Sequence, residues 1–160
     1  MGTYRGGTSF LAEACKELGL WIGDNFVRVV PKDNYISYED GELGVAIDNK
    51  NIERIKELAD IRNEQFDKWG FKKPSSVFII DQILPLFRNP HLIIIVRDAL
   101  AASQSKEAHG GNIHFTNARM HAGSILDLID KPRAPTLAIS FERAKQQRGK
   151  MKQAIKEFLK

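Results

Sequence analysis

The sequence has 160 residues, of which 42% are hydrophobic and 28% charged, and this balance predicts one globular domain over residues 1–160. The longest apolar run, Leu92–Val96, is too short to span a membrane, and the lone Cys15 excludes an internal disulfide and predicts a reducing, cytoplasmic setting. The net charge of +4 suits an anionic ligand, although no aromatic or motif pattern points to nucleic-acid binding.

Helices are predicted along most of the chain, from apolar residues at helical spacing or from helix-capping serines. The predicted helices are Thr8–Leu18, Asn51–Lys68, one that Ser75 or Ser76 caps and that runs towards Phe87, Ala99 to about Glu107, Phe115–Ile129, and about Phe141 to Leu159. Pro85 is expected to distort the end of the third helix, and Gly149 to break the last one. Residues 20–49 mix glycines, a tryptophan and short apolar pieces, which favours a loop.

Two segments are predicted to be β-strands. Leu92–Val96 is a continuous run rich in β-branched residues, which is typical of a central parallel strand covered on both faces. Thr136–Ser140 is the second strand, and residues 69–72, "WGFK", are a weaker candidate. Strands that alternate with helices predict an α/β fold with a parallel sheet.

A glycine-rich stretch, "GTYRGGTS", stands directly before the first predicted helix. Its spacing nearly matches the phosphate-binding pattern G-x-x-x-x-G-K-[ST], with Thr8 in the place of the lysine. Such loops need glycine because the backbone must turn tightly and approach the anion closely. A plain turn and helix cap is the alternative. The missing lysine disfavours a Mg²⁺-dependent nucleotide kinase, which uses that side chain on the transferred phosphate.

A second group of polar residues follows the strongest strand. In "IIIVRDALAASQS", Arg97 stands at the carboxyl end of the strand, where open α/β sheets bind ligands, and Ser103 and Ser105 follow on the next predicted helix. An arginine and a serine in these places could hold one phosphate from two sides. The alternative is a surface arginine paired with Asp98.

Together these stretches resemble the sulfotransferases that use 3′-phosphoadenosine 5′-phosphosulfate (PAPS). "GTYRGGTSFLAEACKELG" resembles their 5′-phosphosulfate loop, and "HLIIIVRDALAASQS" resembles their 3′-phosphate motif. "YISYEDGELGVAID", "WGFKKPSSVFIIDQILPLF" and "LAISFERA" resemble supporting segments of the bacterial branch, in the same order. The resemblance implies a three-layer parallel sheet of the P-loop nucleoside triphosphate hydrolase-like, sulfotransferase-like type.

The resemblance also implies sulfuryl transfer from PAPS to a hydroxyl or amine acceptor, without a metal. It assigns catalytic roles to Arg5, at the bridging oxygen and departing phosphate, to Lys72, at the sulfuryl group, and to Glu39 as general base. Lys73 is a substitute for Lys72. The residues assigned to the nucleotide are Gly2, Gly6, Gly7, Thr8, Ser9, Arg97 and Ser105. Trp69 is a candidate for stacking on the adenine.

The chain departs from the family pattern at its start, because only Met1 precedes the loop and the family has a central strand there. That strand is expected among Leu92–Val96 and Thr136–Ser140. Three ways of filling the place of that strand are open: residues 25–30, "NFVRVV", folding back; a strand from a second copy, giving a homo-oligomer; or direct closure of the neighbouring strands with the loop displaced. These departures keep a second function open, a nucleotide-binding module without catalysis.

Overall fold

The computed structural model describes residues 1–3, 5–23, 26–30, 35–98, 101–102 and 115–160; of these, residues 26–30, 35–37 and 115–119 are described by their backbone alone. The chain divides into two compact units. The first unit comprises Met1–Thr8 and His91–Lys160, and the second comprises Ser9–Pro90. Helices together with a small parallel sheet confirm the predicted α/β class at that level.

The described residues form α-helices, β-strands and short 3-10 helices. The α-helices are α1 (Thr8–Glu17), α2 (Gly41–Asp48), α3 (Ile52–Gln65), α4 (Ile80–Ile83), α5 (Phe115–Asp130), α6 (Phe141–Gln146) and α7 (Arg148–Phe158). The strands are β1 (Phe26–Val30), β2 (Tyr35–Asp40), β3 (Leu92–Val96) and β4 (Thr136–Ser140), and 3-10 helices cover Pro74–Ile79 and Leu84–Leu86. Residues 101–102 are helical; the rest of the predicted helix Ala99–Glu107 lies outside the described residues. The break between α6 and α7 falls at Gln147, just before the predicted Gly149.

The segments with clear apolar periodicity form the predicted helices. Thr8–Leu18 and Phe115–Ile129 correspond closely to α1 and α5, and Asn51–Lys68 corresponds to the shorter α3. The Asn51 side chain caps α3 by accepting a hydrogen bond from the Arg54 N–H at 3.0 Å. Periodicity predicts these helices well because one apolar face of each is buried.

The predicted helix 75–87 is irregular. It begins as a 3-10 helix at Pro74, so the prediction of a serine N-cap is wrong and Lys73 takes that position. Proline is favoured at a first helical position because it has no N–H to leave unpaired. The short α4 follows, and Pro85 lies in the final 3-10 turn, Leu84–Leu86, which is the predicted distortion.

In the first unit, β3 forms a two-stranded parallel sheet with β4 and a single bridge on its other side. It pairs with β4 in continuous register, from Leu92 opposite Thr136 to Val96 opposite Ser140. On its other side Gly2 forms a parallel bridge with Ile95. The Met1 amino group donates to the Ile93 carbonyl, and the Ile95 N–H donates to the Met1 carbonyl at 2.8 Å.

This pairing corrects two expectations about the strand before the loop. β3 and β4 pair directly, so no strand separates them, and the pairing that leads into the loop lies on the other side of β3. The proposed filler "NFVRVV" is also wrong, because Phe26–Val30 pairs antiparallel with β2 inside the second unit. Only a short connection joins β1 to β2, and neighbouring strands joined in this way favour a hairpin.

In the second unit, two predictions for irregular segments are wrong. Residues 20–49 contain β1, β2 and α2 rather than mostly loop. The β1–β2 register is interrupted, so the hairpin leaves little regular alternation in the sequence to detect. Residues 69–72 form no strand; Trp69 alone makes a bridge, to Trp21. Cys15 is buried as predicted, and burial raises the pKa of its thiol to about 11.

A buried ion pair joins several elements of the second unit. Asp40 and Arg62 are 7% and 5% exposed, and Arg62 Nη2 donates to Asp40 Oδ2 at 2.6 Å. Asp40 Oδ1 accepts the Leu43 N–H at 2.9 Å, which caps α2. The Arg62 guanidinium carbon lies 5.3 Å and 5.4 Å from the ring centroids of Trp21 and Trp69. One cation therefore holds the end of β2, the start of α2, α3 and two indoles together.

We predict that Arg62→Met strongly destabilises the protein. The substitution leaves the buried Asp40 carboxylate without its cation, and breaking one side of a buried pair costs about 3–5 kcal/mol. Urea unfolding of the wild type and the variant measures this loss. The matched control is Arg54→Met, since Arg54 is 44% exposed and pairs with exposed Glu57, and surface pairs contribute about 0–1 kcal/mol. Equal losses in both variants would contradict the importance of the buried pair.

Candidate functional site

The glycine-rich loop between the Gly2 bridge and α1 is tightly turned. Arg5 and Gly7 both have a left-handed backbone, with φ of 58° and 93°. A side-chain-bearing residue in this region is strained, so Arg5 must be held there by its surroundings. The Gly6 N–H donates to the Thr3 carbonyl at 2.9 Å, which closes the turn. In this conformation that N–H is used within the loop and is not a donor to an anion.

Three glycines of the loop lie where a side chain would collide with a neighbour. A Cβ added to Gly2 would lie 2.6 Å from the Ile95 carbonyl oxygen. At Gly6 it would lie 2.5 Å from the Thr3 hydroxyl, and at Gly7 it would lie 2.2 Å from the Phe141 ring. The sequence pattern therefore has a steric cause at each glycine, beyond a simple turn before a helix.

Arg97 is fixed against this loop. Its Nη1 donates to the Arg5 carbonyl at 2.9 Å, and its guanidinium carbon lies 4.7 Å from the centroid of the Phe141 ring. Among the described residues, its buried Nε has no hydrogen-bond partner. The guanidinium thus lies over the ring and donates one hydrogen bond to the loop, and its Nε–H is not used by either contact.

The parallel sheet explains why these residues meet. Val96 and Ser140 are the last paired residues of β3 and β4, so Arg97 and Phe141 leave the sheet side by side. The Gly2 bridge brings the loop to the other side of the same end of β3. Carboxyl ends of parallel strands are where α/β proteins place ligand-binding residues. We call Arg5, Gly7, Arg97 and Phe141 the loop cluster.

A second contact ties the same strand ends together. Glu142 Oε1 accepts the Asp98 N–H at 3.1 Å, and that hydrogen bond lowers the pKa of the Glu142 carboxyl. Asp98 in turn accepts the Ala101 N–H at 2.9 Å. The Asp98 N–H therefore donates to Glu142, and the Asp98 carboxylate accepts from Ala101. Asp98 does not form the surface pair with Arg97 that is the alternative from sequence.

The positions of Thr8, Ser9 and Ser105, the other residues assigned to the nucleotide, do not test their predicted roles. Thr8 and Ser9, which begin α1, are 6% and 8% exposed. Thr8 belongs to the first unit and Ser9 to the second. Ser103 and Ser105 lie outside the described residues, so the paired role of Arg97 and Ser105 stays a prediction.

In the second unit, the predicted catalytic residues Lys72 and Glu39 are bound to each other. Lys72 Nζ lies 2.7 Å from Glu39 Oε1, and Lys73 Nζ lies 3.2 Å from Glu39 Oε2 and 2.7 Å from Asp48 Oδ2. Burial lowers the pKa of Lys72, although Glu39 opposes that shift. Burial alone would also lower the pKa of Lys73, but Asp48 and Glu39 outweigh it and raise that pKa.

Trp69, the candidate for adenine stacking, is engaged within the second unit. Its indole N–H donates to Asn63 Oδ1 at 3.0 Å, and Arg62 lies over its ring. Phe71 and Phe87 lie 6.4 Å and 5.7 Å from it, centroid to centroid. These contacts give Trp69 a packing role that needs no ligand.

Phe141 and Glu142 are site residues that the sequence motifs do not single out. A signal for both was present, since they are the first two residues after β4 and the chain there resembles an aromatic-Glu segment. Their importance comes from the β3–β4 register, which places them beside Arg97 and Asp98. A strand pairing of this kind is not visible in a single sequence.

In the part of the chain that the structure describes, no group of three or more His, Cys, Asp or Glu side chains could hold a metal ion. In the same residues, no helix has the length and apolar character needed to cross a membrane.

Comparisons with known proteins leave the family of this chain open. No protein-family model, no curated protein and no solved structure matches the chain. A function for the chain therefore rests on its own residues and geometry and on the sequence resemblance.

We predict that Glu39→Gln destabilises the protein in a pH-dependent way. The variant removes the carboxylate that keeps the buried Lys72 protonated, which lowers the Lys72 pKa further. An amine with a lower pKa in the folded state than in the unfolded state binds fewer protons when folded, so stability rises with pH between the two values. We expect a deficit of about 3–5 kcal/mol at neutral pH that shrinks as the pH approaches about 10.

Denaturant unfolding of both proteins from neutral to alkaline pH measures this deficit. Asp48→Asn is the control, because Asp48 is half exposed and contacts Lys73 rather than Lys72. It should lose less stability than Glu39→Gln. A deficit that stays constant with pH would show that charge on Lys72 is not its cause.

Proposed function

We propose that the loop cluster binds the phosphate groups of a 3′-phosphoadenosine nucleotide and that PAPS is the natural ligand. The observation that carries the proposal is the Arg97–Arg5 hydrogen bond, which fastens a guanidinium at the carboxyl end of β3 to the glycine-rich loop. This combination suits an anion, because it brings fixed positive charge to a loop that leads into a helix N-terminus.

The backbone of the loop supports the same proposal. A parallel pairing at Gly2 leads into a turn with two left-handed residues, and α1 starts directly afterwards at Thr8. This order of extended chain, glycine-rich turn and helix is the one that phosphate-binding loops use. The proposal includes the finer fold expected from the resemblance, a three-layer P-loop-like sheet in which β3 and β4 are two of the strands.

The proposed reaction is transfer of the sulfuryl group from PAPS to a hydroxyl or amine. The bond between sulfur and the bridging phosphate oxygen breaks, a bond from sulfur to the acceptor forms, and the acceptor gives up one proton. Arg5 would neutralise the charge that develops on the departing phosphate. Lys72 and Glu39 enter this proposal through the resemblance alone, as the sulfuryl-facing cation and the base.

Binding without transfer is the second candidate function, and one observation favours it. Lys72 and Glu39 already hold each other at 2.7 Å, so each proposed catalytic charge has an opposite charge beside it. An assay of PAPS turnover separates the two functions. It measures the release of 3′-phosphoadenosine 5′-phosphate with and without a panel of alcohols and amines. Acceptor-dependent release supports transfer, and tight binding with no release supports the module.

We predict that Gly7→Ala abolishes binding of 3′-phosphoadenosine 5′-phosphate in titration calorimetry. The added Cβ would lie 2.2 Å from the Phe141 ring, and φ of 93° strains a residue with a side chain. Gly19→Ala is the matched control, since Gly19 has φ of 85° with no atom within 4 Å of its added Cβ. It should cost stability but keep affinity. Wild-type affinity in a folded Gly7→Ala protein would show that the loop is not part of the binding site.

We predict that Arg97→Ala weakens the binding of 3′-phosphoadenosine 5′-phosphate by about 1.5–3 kcal/mol, the range for hydrogen bonds to charged groups. Adenosine 5′-phosphosulfate has no 3′-phosphate, so its affinity should fall less. It is affected only because the variant loses the hydrogen bond that holds the Arg5 carbonyl. Calorimetry with both ligands measures the difference, and Arg133→Ala is the control because Arg133 pairs with Asp127. Equal losses for the two ligands would contradict the 3′-phosphate role of Arg97.

A further inference from the structure

The first residue after β4, Phe141, contacts two different parts of the loop cluster. Its ring lies 4.7 Å from the Arg97 guanidinium carbon, and the same ring lies 2.2 Å from the position of a Cβ on Gly7. Neither contact depends on a bound ligand. The ring therefore borders both the Arg97 guanidinium and Gly7, the loop glycine at which an added Cβ would lie nearest to a neighbouring atom.

The chemistry of the Arg97–Phe141 contact leaves the arginine able to bind an anion. An aromatic ring attracts a cation over its face, whereas guanidinium hydrogen bonds lie in the guanidinium plane. Nη1 already donates to the Arg5 carbonyl, and Nε has no partner among the described residues. The contact with the Phe141 ring therefore uses none of the remaining N–H donors of Arg97.

The sheet gives Phe141 little freedom to move away. Ser140 is paired with Val96 in the register of β4 and β3, and its side chain caps α6 by accepting the Arg143 N–H. Glu142 accepts the Asp98 N–H at 3.1 Å on the following residue. The two residues that flank Phe141 in the chain, Ser140 and Glu142, are therefore both anchored, and this keeps Phe141 opposite Arg97.

We propose that Phe141 is a positioning residue of the anion site: its ring orients the Arg97 guanidinium against the loop. The identity of the ligand rests on the proposed function, whereas the positioning itself is a property of the free protein. Phe141 acts through Arg97, so removing the ring should cost nothing further once Arg97 is gone.

The first test follows Arg97 in the protein without ligand. The Nε–Hε resonance of Arg97 in a nitrogen–proton correlation spectrum, assigned by its loss in Arg97→Lys, should be displaced by the ring current of Phe141. Phe141→Leu should return it toward the ordinary arginine position, and Phe141→Tyr should leave it in place. A resonance that Phe141→Leu does not move overturns the proposal.

The second test measures affinity for 3′-phosphoadenosine 5′-phosphate by calorimetry. Phe141→Leu should bind about fivefold more weakly, the size of a partly exposed cation–π contact, and Phe141→Tyr should restore wild-type affinity. The double variant Arg97→Ala/Phe141→Leu should bind no more weakly than Arg97→Ala. Fully additive losses would overturn the proposal, because Phe141 would then act independently of Arg97.

Phe158→Leu is the matched control for loss of a ring in the same unit. Phe158 contacts His91, which precedes β3 at the end opposite Arg97, with ring centroids 5.2 Å apart. It should change neither the Arg97 resonance nor the affinity. Far-UV circular dichroism checks folding, and Phe141→Met replaces Phe141→Leu if the latter does not fold. A wild type that fails to bind the nucleotide refutes the proposed function, while the resonance still decides the role of Phe141.

Discussion

The hydrogen bond from Arg97 to the Arg5 carbonyl is the interaction on which the candidate site depends. Arg5 has a left-handed backbone, which costs about 1–2 kcal/mol for a residue with a side chain. A hydrogen bond to a charged group contributes about 1.5–3 kcal/mol, enough to offset that strain. The conformation of the loop is thus coupled to the end of β3, and a change at Arg97 reaches the loop as well as any ligand.

The sheet register determines which residues meet at that end. Because β3 and β4 are parallel and paired without interruption, the residues that follow them leave the sheet together, Arg97 beside Phe141 and Asp98 beside Glu142. A shift of one residue would replace each of these partners and turn the side chains to the other face. The aromatic ring and the carboxylate after β4 are therefore as much part of the site geometry as the arginine itself.

Sequence patterns predict those helices and strands of this protein that are determined by residues close together in the sequence. Leu92–Val96 and the helix from Thr8 follow from apolar runs and periodicity, and Arg97 follows from its place after a strand. The hairpin within residues 20–49 is missed, because its interrupted register leaves no clean alternation. The sequence likewise contains no sign that Arg62 pairs with Asp40, since the contact depends on how the second unit packs rather than on sequence spacing.

The placement of the tryptophans gives the protein a built-in optical probe of one unit. The chain contains two tryptophans, Trp21 and Trp69, and both belong to the second unit, where they flank the Arg62 guanidinium. Indole fluorescence therefore reports on the surroundings of that cation within the second unit. Followed beside a probe of total helix content, it shows whether the two units lose their structure in one cooperative transition or in separate steps.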